Sequence, residues 1–154
     1  VVLPLSDTSG DTSPAIVVAT LDSLIDGGAQ RNNGAGQWVF AGRTRTSHIR
    51  RGLIAFDIAA VLPAGATRTG VTLTMNMSKT IVGDAVVGLH RVLAGWQEGA
   101  AKASGNEGKS ADAHQGDVTW TQREFKSLDW DAPGGDFSAR SSAAVTVDGI
   151  GSYT

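Results

Sequence analysis

The chain has 154 residues, of which 41% are hydrophobic and 18% charged, enough for a real core and too few charges for a disordered tail or a charge-laced rod. Thirteen Lys and Arg against fifteen Asp and Glu give a net charge of −2, which argues against nucleic-acid binding through bulk charge. The absence of cysteine excludes disulfides, thiolate metal sites and cysteine nucleophiles, and no apolar run approaches the roughly 18 residues of a membrane span.

The chain opens on Val1-Val2-Leu3-Pro4-Leu5, with neither an initiator Met nor a basic leader, as a mature or trimmed polypeptide would. Residues 1–13 pair this apolar segment with a polar stretch, "SDTSGDTSP", expected to be a flexible linker. The segment is either an arm reaching to a neighbouring chain or the first strand of this chain's own domain. Residues 14–154 are expected to form a single domain.

Extended segments with period-two patterning follow: "AIVVAT" (15–20), "QWVFAG" (37–42), "GLIAFDI" (52–58), "VTLTMNMS" (71–78), "AVVGLHRVL" (85–93) and "AAVTVDG" (143–149). In 71–78 the alternation predicts Val71, Leu73, Met75 and Met77 facing a core, with Thr72, Thr74, Asn76 and Ser78 facing water. Turn signals at Asp26-Gly27-Gly28, Asn32-Asn33-Gly34, Pro63-Ala64-Gly65, Val82-Gly83-Asp84 and Pro133-Gly134-Gly135-Asp136 separate the strands. Single helical turns are the most that Ile58–Leu62 and Trp96–Ala103 can support. The glycine-rich, polar stretch from Gly95 to Gly116 exceeds the usual length of a structureless connection, which marks it as a candidate functional loop. The expected fold is all-β, an antiparallel jelly-roll-like β-sandwich.

The blocks "AGRTRTSHIRRGLIAFDIAAVLPAGATRTGVTLTMNMS", "VGLHRVLAGWQEG", "GNEG", "GDVTW" and "APGGDF", in this order, resemble the DNRLRE-type domain of bacterial and archaeal surface proteins. That family is related to disaggregatase-type repeats and to alginate-binding carbohydrate modules. The resemblance runs from about Leu21 to the C-terminus. It implies a jelly-roll-like sandwich and an extracellular or cell-surface, non-catalytic module that binds or organises polysaccharide. Domains of this type continue past Gly149–Thr154 with further strands, so the expected sandwich is incomplete at its C-terminal end unless another polypeptide supplies them. A sheet left open in that way would favour self-association through its edges, and the alternative function is a structural subunit of a surface fibre built by strand exchange.

Candidate binding residues are Arg43, Arg45, His48 and Arg51, clustered in a chain of slightly acidic balance, because guanidinium forks grip carboxylates and suit a uronate-rich polysaccharide. Arg50 and Arg51, being adjacent on a strand, should diverge. Arg51 and Asp57 share a side, where they either flank a groove or pin neighbouring strands. Trp96 and Trp130, at loop borders, are candidate platforms for sugar C–H faces, while Trp38 and Trp120 sit in strand-like contexts and are expected to pack. "DWDAPGGD" offers Asp129, Asp131 and Asp136 as hard oxygen ligands for a structural calcium, with Asp22 and Asp26 as a second choice. His48, His90 and His114 lack zinc spacing, and His90 is expected to pack in its strand. Glu98 and Glu107 are the only carboxylates considered for glycosidase acid–base work, and no catalytic residue is assigned. Asn76-Met77-Ser78 matches a glycosylation sequon.

Overall fold

In the computed structural model, residues 2–6, 14–16, 19–25, 30–62, 65–68, 70–81 and 83–154 are described. Among them the fold is all-β, with antiparallel sheets and no helix. Two compact units divide the chain: one comprises Val1–Ala19, Ala55–Val86 and Val145–Thr154, the other Thr20–Ile54 and Val87–Ala144.

In the first unit β1 (Val2–Ser6) pairs antiparallel with β2 (Pro14–Ile16), Val2 opposite Ile16, and with β7 (Thr67–Arg68), Leu5 opposite Arg68. The opening apolar segment is therefore a strand paired within its own chain. β8 (Met75–Met77) pairs with β14 (Gly151–Tyr153), Met77 opposite Gly151. The hydroxyl of Tyr153 closes the turn before β14, donating to Asp148 Oδ1 at 2.8 Å and accepting from the Gly149 amide at 3.0 Å.

The segment 71–78 keeps its expected alternation only in part. Thr72, Thr74, Asn76 and Ser78 are exposed, and Leu73 and Met77 are half-buried. Val71 and Met75 stand in solvent, at 60% and 37% exposure. The strand itself is only three residues long, because pairing to β14 stops at Met75.

In the second unit β3 (Ala19–Ile25), β6 (Ile49–Phe56) and β5 (Gly42–Arg43) form one sheet with β6 in the middle. β5 and β6 make a hairpin in which Gly42 faces Arg50 and Arg43 faces Ile49. β4 (Arg31–Asn32) pairs with β10 (Ala111–Asp112), and β11 (Gln122–Glu124) with β12 (Leu128–Asp129). β9 (Ala85–Val92) pairs with β13 (Phe137–Val147). β3, β6, β9 and β13 each have residues in both units.

The core cluster among the described residues lies in the second unit. Leu53, Val118 and Trp130 form its centre, and Val92, Ala94, Trp96 and Trp120 pack against it. Trp130 can be buried because its indole N–H donates to the Thr119 carbonyl at 3.0 Å, leaving no polar atom stranded. Among the described residues, every buried hydrophobic side chain (Ile25, Leu53, Ala101, Ala103, Val118, Phe125, Trp130) lies in this unit.

Several expected elements take another form. "QWVFAG" is not a strand before Gly42. The amides of Gln37, Trp38 and Phe40 donate to the side chains of Glu107 and Ser23 instead of to a neighbouring strand. Trp96–Ala103 makes no helical turn, since its amides at Gly99, Ala100 and Ala103 are drawn to Asp22, Asp117 and Asn33. Ile58–Leu62 does make one turn, with Leu62 N donating to Ile58 O at 3.1 Å, capped by Asp57 Oδ1 on the Ala60 amide at 3.1 Å. The turn at 26–28 lies outside the described residues, as do Pro63, Ala64 and Val82 of two others.

Candidate functional site

The loop from Gly95 to Gly116 is held by a set of buried side chains that act as clamps on backbone. Asp22, only 2% exposed, accepts from Ser23 N at 2.6 Å, Gly99 N at 2.9 Å and Asn32 Nδ2 at 2.7 Å. Asn32 also donates to Val118 O at 2.8 Å and accepts from Gly34 N at 2.8 Å. Asn33 accepts from Ala103 N at 3.0 Å and donates to Glu107 Oε2 at 3.0 Å. Glu107 then accepts from Gln37 N at 2.9 Å and Trp38 N at 3.2 Å. Asp117 takes Ala100 N and His114 N, both at 2.8 Å. A carboxylate with several donors replaces the ladder that a strand would have supplied. Gly34 and Gly99 allow the close approach, since a Cβ on either would collide with Asp22, Asn32 or the facing backbone.

Two of the buried carboxyls respond in opposite ways. At Asp22 burial outweighs the hydrogen bonds and pushes the carboxyl above its ordinary range. At Glu107 the Asn33 amide, supported by the Gln37 and Trp38 N–H groups and by Lys102, outweighs burial and holds the carboxyl below it. Glu107 also has a left-handed backbone, φ 56°, which lets its side chain turn inward from a tight turn. With its oxygens committed to these donors and its carboxyl ionised, Glu107 is a clamp and a poor general acid.

Arg43, Arg45 and His48 are brought together at the tip of the β5–β6 hairpin, all exposed. The tip is stiffened by Thr44 N donating to His48 O and Ser47 N to Thr44 O, each at 2.9 Å, and by Ser47 at φ 66°. Arg43 Nη1 donates to Ser47 O at 2.9 Å, which fixes the guanidinium beside the turn.

Arg51 is elsewhere and serves the fold. Its guanidinium lies 5.0 Å from the Trp120 ring centre and 4.6 Å from that of Phe137, and Nη1 donates to the Gly134 carbonyl. The arginine at the mouth of β6 thus pins other segments, one of the two roles that its sequence position suggested. Arg50 diverges from it, over the Phe40 ring at 5.6 Å. There burial lowers its pKa from the ordinary value.

Trp130, expected as a platform, is 5% exposed in the core and offers no face to a ligand. Trp96 is half-buried against the same core. Trp38, expected to pack, is 49% exposed, and its backbone is gripped on both sides, N–H by Glu107 and carbonyl by Asn33 at 3.4 Å. Sequence alone hides this exchange, because which tryptophan is covered depends on contacts far along the chain.

Two of the three aspartates of the calcium expectation, Asp129 and Asp136, accept hydrogen bonds within the chain. Asp136 accepts from the amides of Asp131 and Ala132, each at 3.1 Å, and Asp129 accepts from Gln122 Nε2 at 2.7 Å. Among the described residues no group of three His, Asp or Glu side chains is arranged to hold a metal. Asp26 lies outside the described residues, so the second choice reduces to Asp22, already saturated with donors. His90 packs as expected, with Nδ1 2.8 Å from the Ser138 carbonyl and its ring edge-on to Phe137 at 5.5 Å.

An open groove of about 470 Å³ lies on the β9–β13 ribbon, lined by Arg91, Leu93, Ser138, Arg140, Ser141 and Ser142. No helix among the described residues is long and apolar enough to cross a membrane. No protein-family model, curated protein or solved structure matches the chain.

Proposed function

We propose that the chain is a non-catalytic, extracellular β module of the DNRLRE kind that binds an acidic polysaccharide along the strip from Trp38 to His48. The observation that carries the reading is an exposed indole whose backbone is fixed by buried clamps, followed in the same segment by the cationic hairpin tip. A rigid aromatic face stacks on sugar C–H groups at little entropic cost, and guanidinium groups bind carboxylates. Extended chain from Trp38 to Arg43 spans at most roughly 17 Å, so both contacts fall within one short oligosaccharide.

The test is affinity electrophoresis of the folded chain against polygalacturonate and a neutral glucan. Trp38→Ala should abolish retention on the neutral glucan, and Trp38→Ala and Arg43→Gln with Arg45→Gln should each weaken it on polygalacturonate. Unchanged retention in both variants would refute the assignment.

A second reading, a subunit of a surface fibre, is favoured by the first unit. Val71, Ile81, Val86 and Ile150 are 60–74% exposed there. Apolar surface of this kind favours association between chains. Sedimentation that stays monomeric at high concentration would refute it.

A further inference from the structure

From the β9–β13 groove we infer a second anion site, one that takes a carboxylate or sulfate ester carried on a polysaccharide. Arg91 projects from β9 and Arg140 from β13, and both line the same open groove. Both are exposed, and neither guanidinium has a hydrogen bond or ion pair among the described residues. No carboxylate is among the lining residues, so two positive charges face one space without a counter-ion among the described residues. The contrast with Arg51, whose guanidinium is spent on Gly134, Trp120 and Phe137, separates a structural arginine from two that are available.

The walls are rigid. Ser141 Oγ donates to Ala143 O at 2.6 Å, Ser138 Oγ exchanges hydrogen bonds with the Arg140 backbone at 3.1 and 3.2 Å, and His90 holds the Ser138 carbonyl. Those two hydroxyls are committed as donors, whereas Ser142 has no side-chain partner among the described residues and can donate to a bound oxygen. Two planar forks and a hydroxyl match the three-oxygen face of a sulfate ester, or a carboxylate with a neighbouring ring hydroxyl. Leu93, 58% exposed at the edge, adds apolar surface for a sugar ring. A nucleic acid fits poorly, since the chain is net negative and the groove has no aromatic ring on which a base could stack.

This inference rests on the polysaccharide-binding reading and adds a distinct site and ligand group to it. The test uses the whole chain, labelled for NMR, titrated with galacturonic acid and, separately, with glucose 6-sulfate. Amide shifts confined to Arg91–Leu93 and Ser138–Ser142 are expected with at least one of the two, and which one responds identifies the anion. Arg91→Gln with Arg140→Gln should weaken that response about tenfold and leave the Trp38 shifts produced by neutral glucan oligosaccharide intact. If neither acid perturbs the ribbon amides, or the double variant responds as the parent does, the groove site is refuted while glucan binding at Trp38 can still hold. Loss of Trp38 shifts with ribbon shifts retained refutes the strip and leaves the groove.

Discussion

Glu107→Ala isolates the clamp on which the candidate strip depends. The substitution removes the acceptor for Asn33 Nδ2, in a residue 2% exposed, and for the Gln37 and Trp38 amides, which lie near solvent. A stranded buried amide costs about 1–3 kcal/mol, and each amide that water can reach about 0.5–1 kcal/mol, so the loss should be about 2–4 kcal/mol. With an unfolding slope of about 2 kcal/mol per molar urea, the midpoint should fall by about 1–2 M with little change of slope. Glu107→Gly loses the same acceptors but relieves the left-handed backbone, and should lie up to about 1 kcal/mol closer to the parent. The carboxyl is held below its ordinary range when folded, so its stabilisation is fully present above about pH 4.3 and is lost as pH falls through the lower folded value. The gap between parent and Glu107→Gln should therefore close in strong acid. A midpoint shift for Glu107→Ala under about 0.3 M at neutral pH, or a gap that persists unchanged in acid, would refute the clamp.

Two further outcomes follow from the same interior. Asp22 is displaced the other way: its folded carboxyl keeps its proton to higher pH than in the unfolded chain, so the parent loses stability as pH rises above about 4. The stability gap between the parent and Asp22→Asn, followed by urea unfolding across pH, should narrow through that window, and a gap that widens would mean the hydrogen bonds outweigh burial. Arg51→Lys surrenders the fork to Gly134 and most of the contact with the Trp120 and Phe137 rings, and should lower stability by about 1–3 kcal/mol in thermal unfolding. Unchanged stability would show that the stack is incidental.

The β character was legible because alternation is local: Leu73 and Met77 lean inward while Thr72 and Thr74 face water. The hairpin tip was legible for the same reason, since Arg43, Arg45 and His48 are neighbours in the chain. The clamps were not. An aspartate that accepts from Gly99, 77 residues away, is written with the same letter as one that caps a turn, such as Asp57 or Asp136. Two-residue pairings such as β4 with β10 are too short to impose any period. The roles of Trp38 and Trp130 were interchanged because both sit beside polar residues, and only the nonlocal placement of Leu53 and Val118 decides which is enclosed. Arg91 and Arg140 went unnoticed because they lie 49 positions apart and meet only across the ribbon.

The concentration of enclosed side chains in the second unit has a consequence for how the sequence can drift. Replacements at Val71, Ile81 or Ile150 displace no neighbour and should be accepted freely in a survey of variants, even when they introduce charge. Replacements at Val118, Asn32 or Gly99 have no room for error. Among the described residues, random mutagenesis should therefore find the enclosed positions of the second unit far more constrained than these exposed positions of the first.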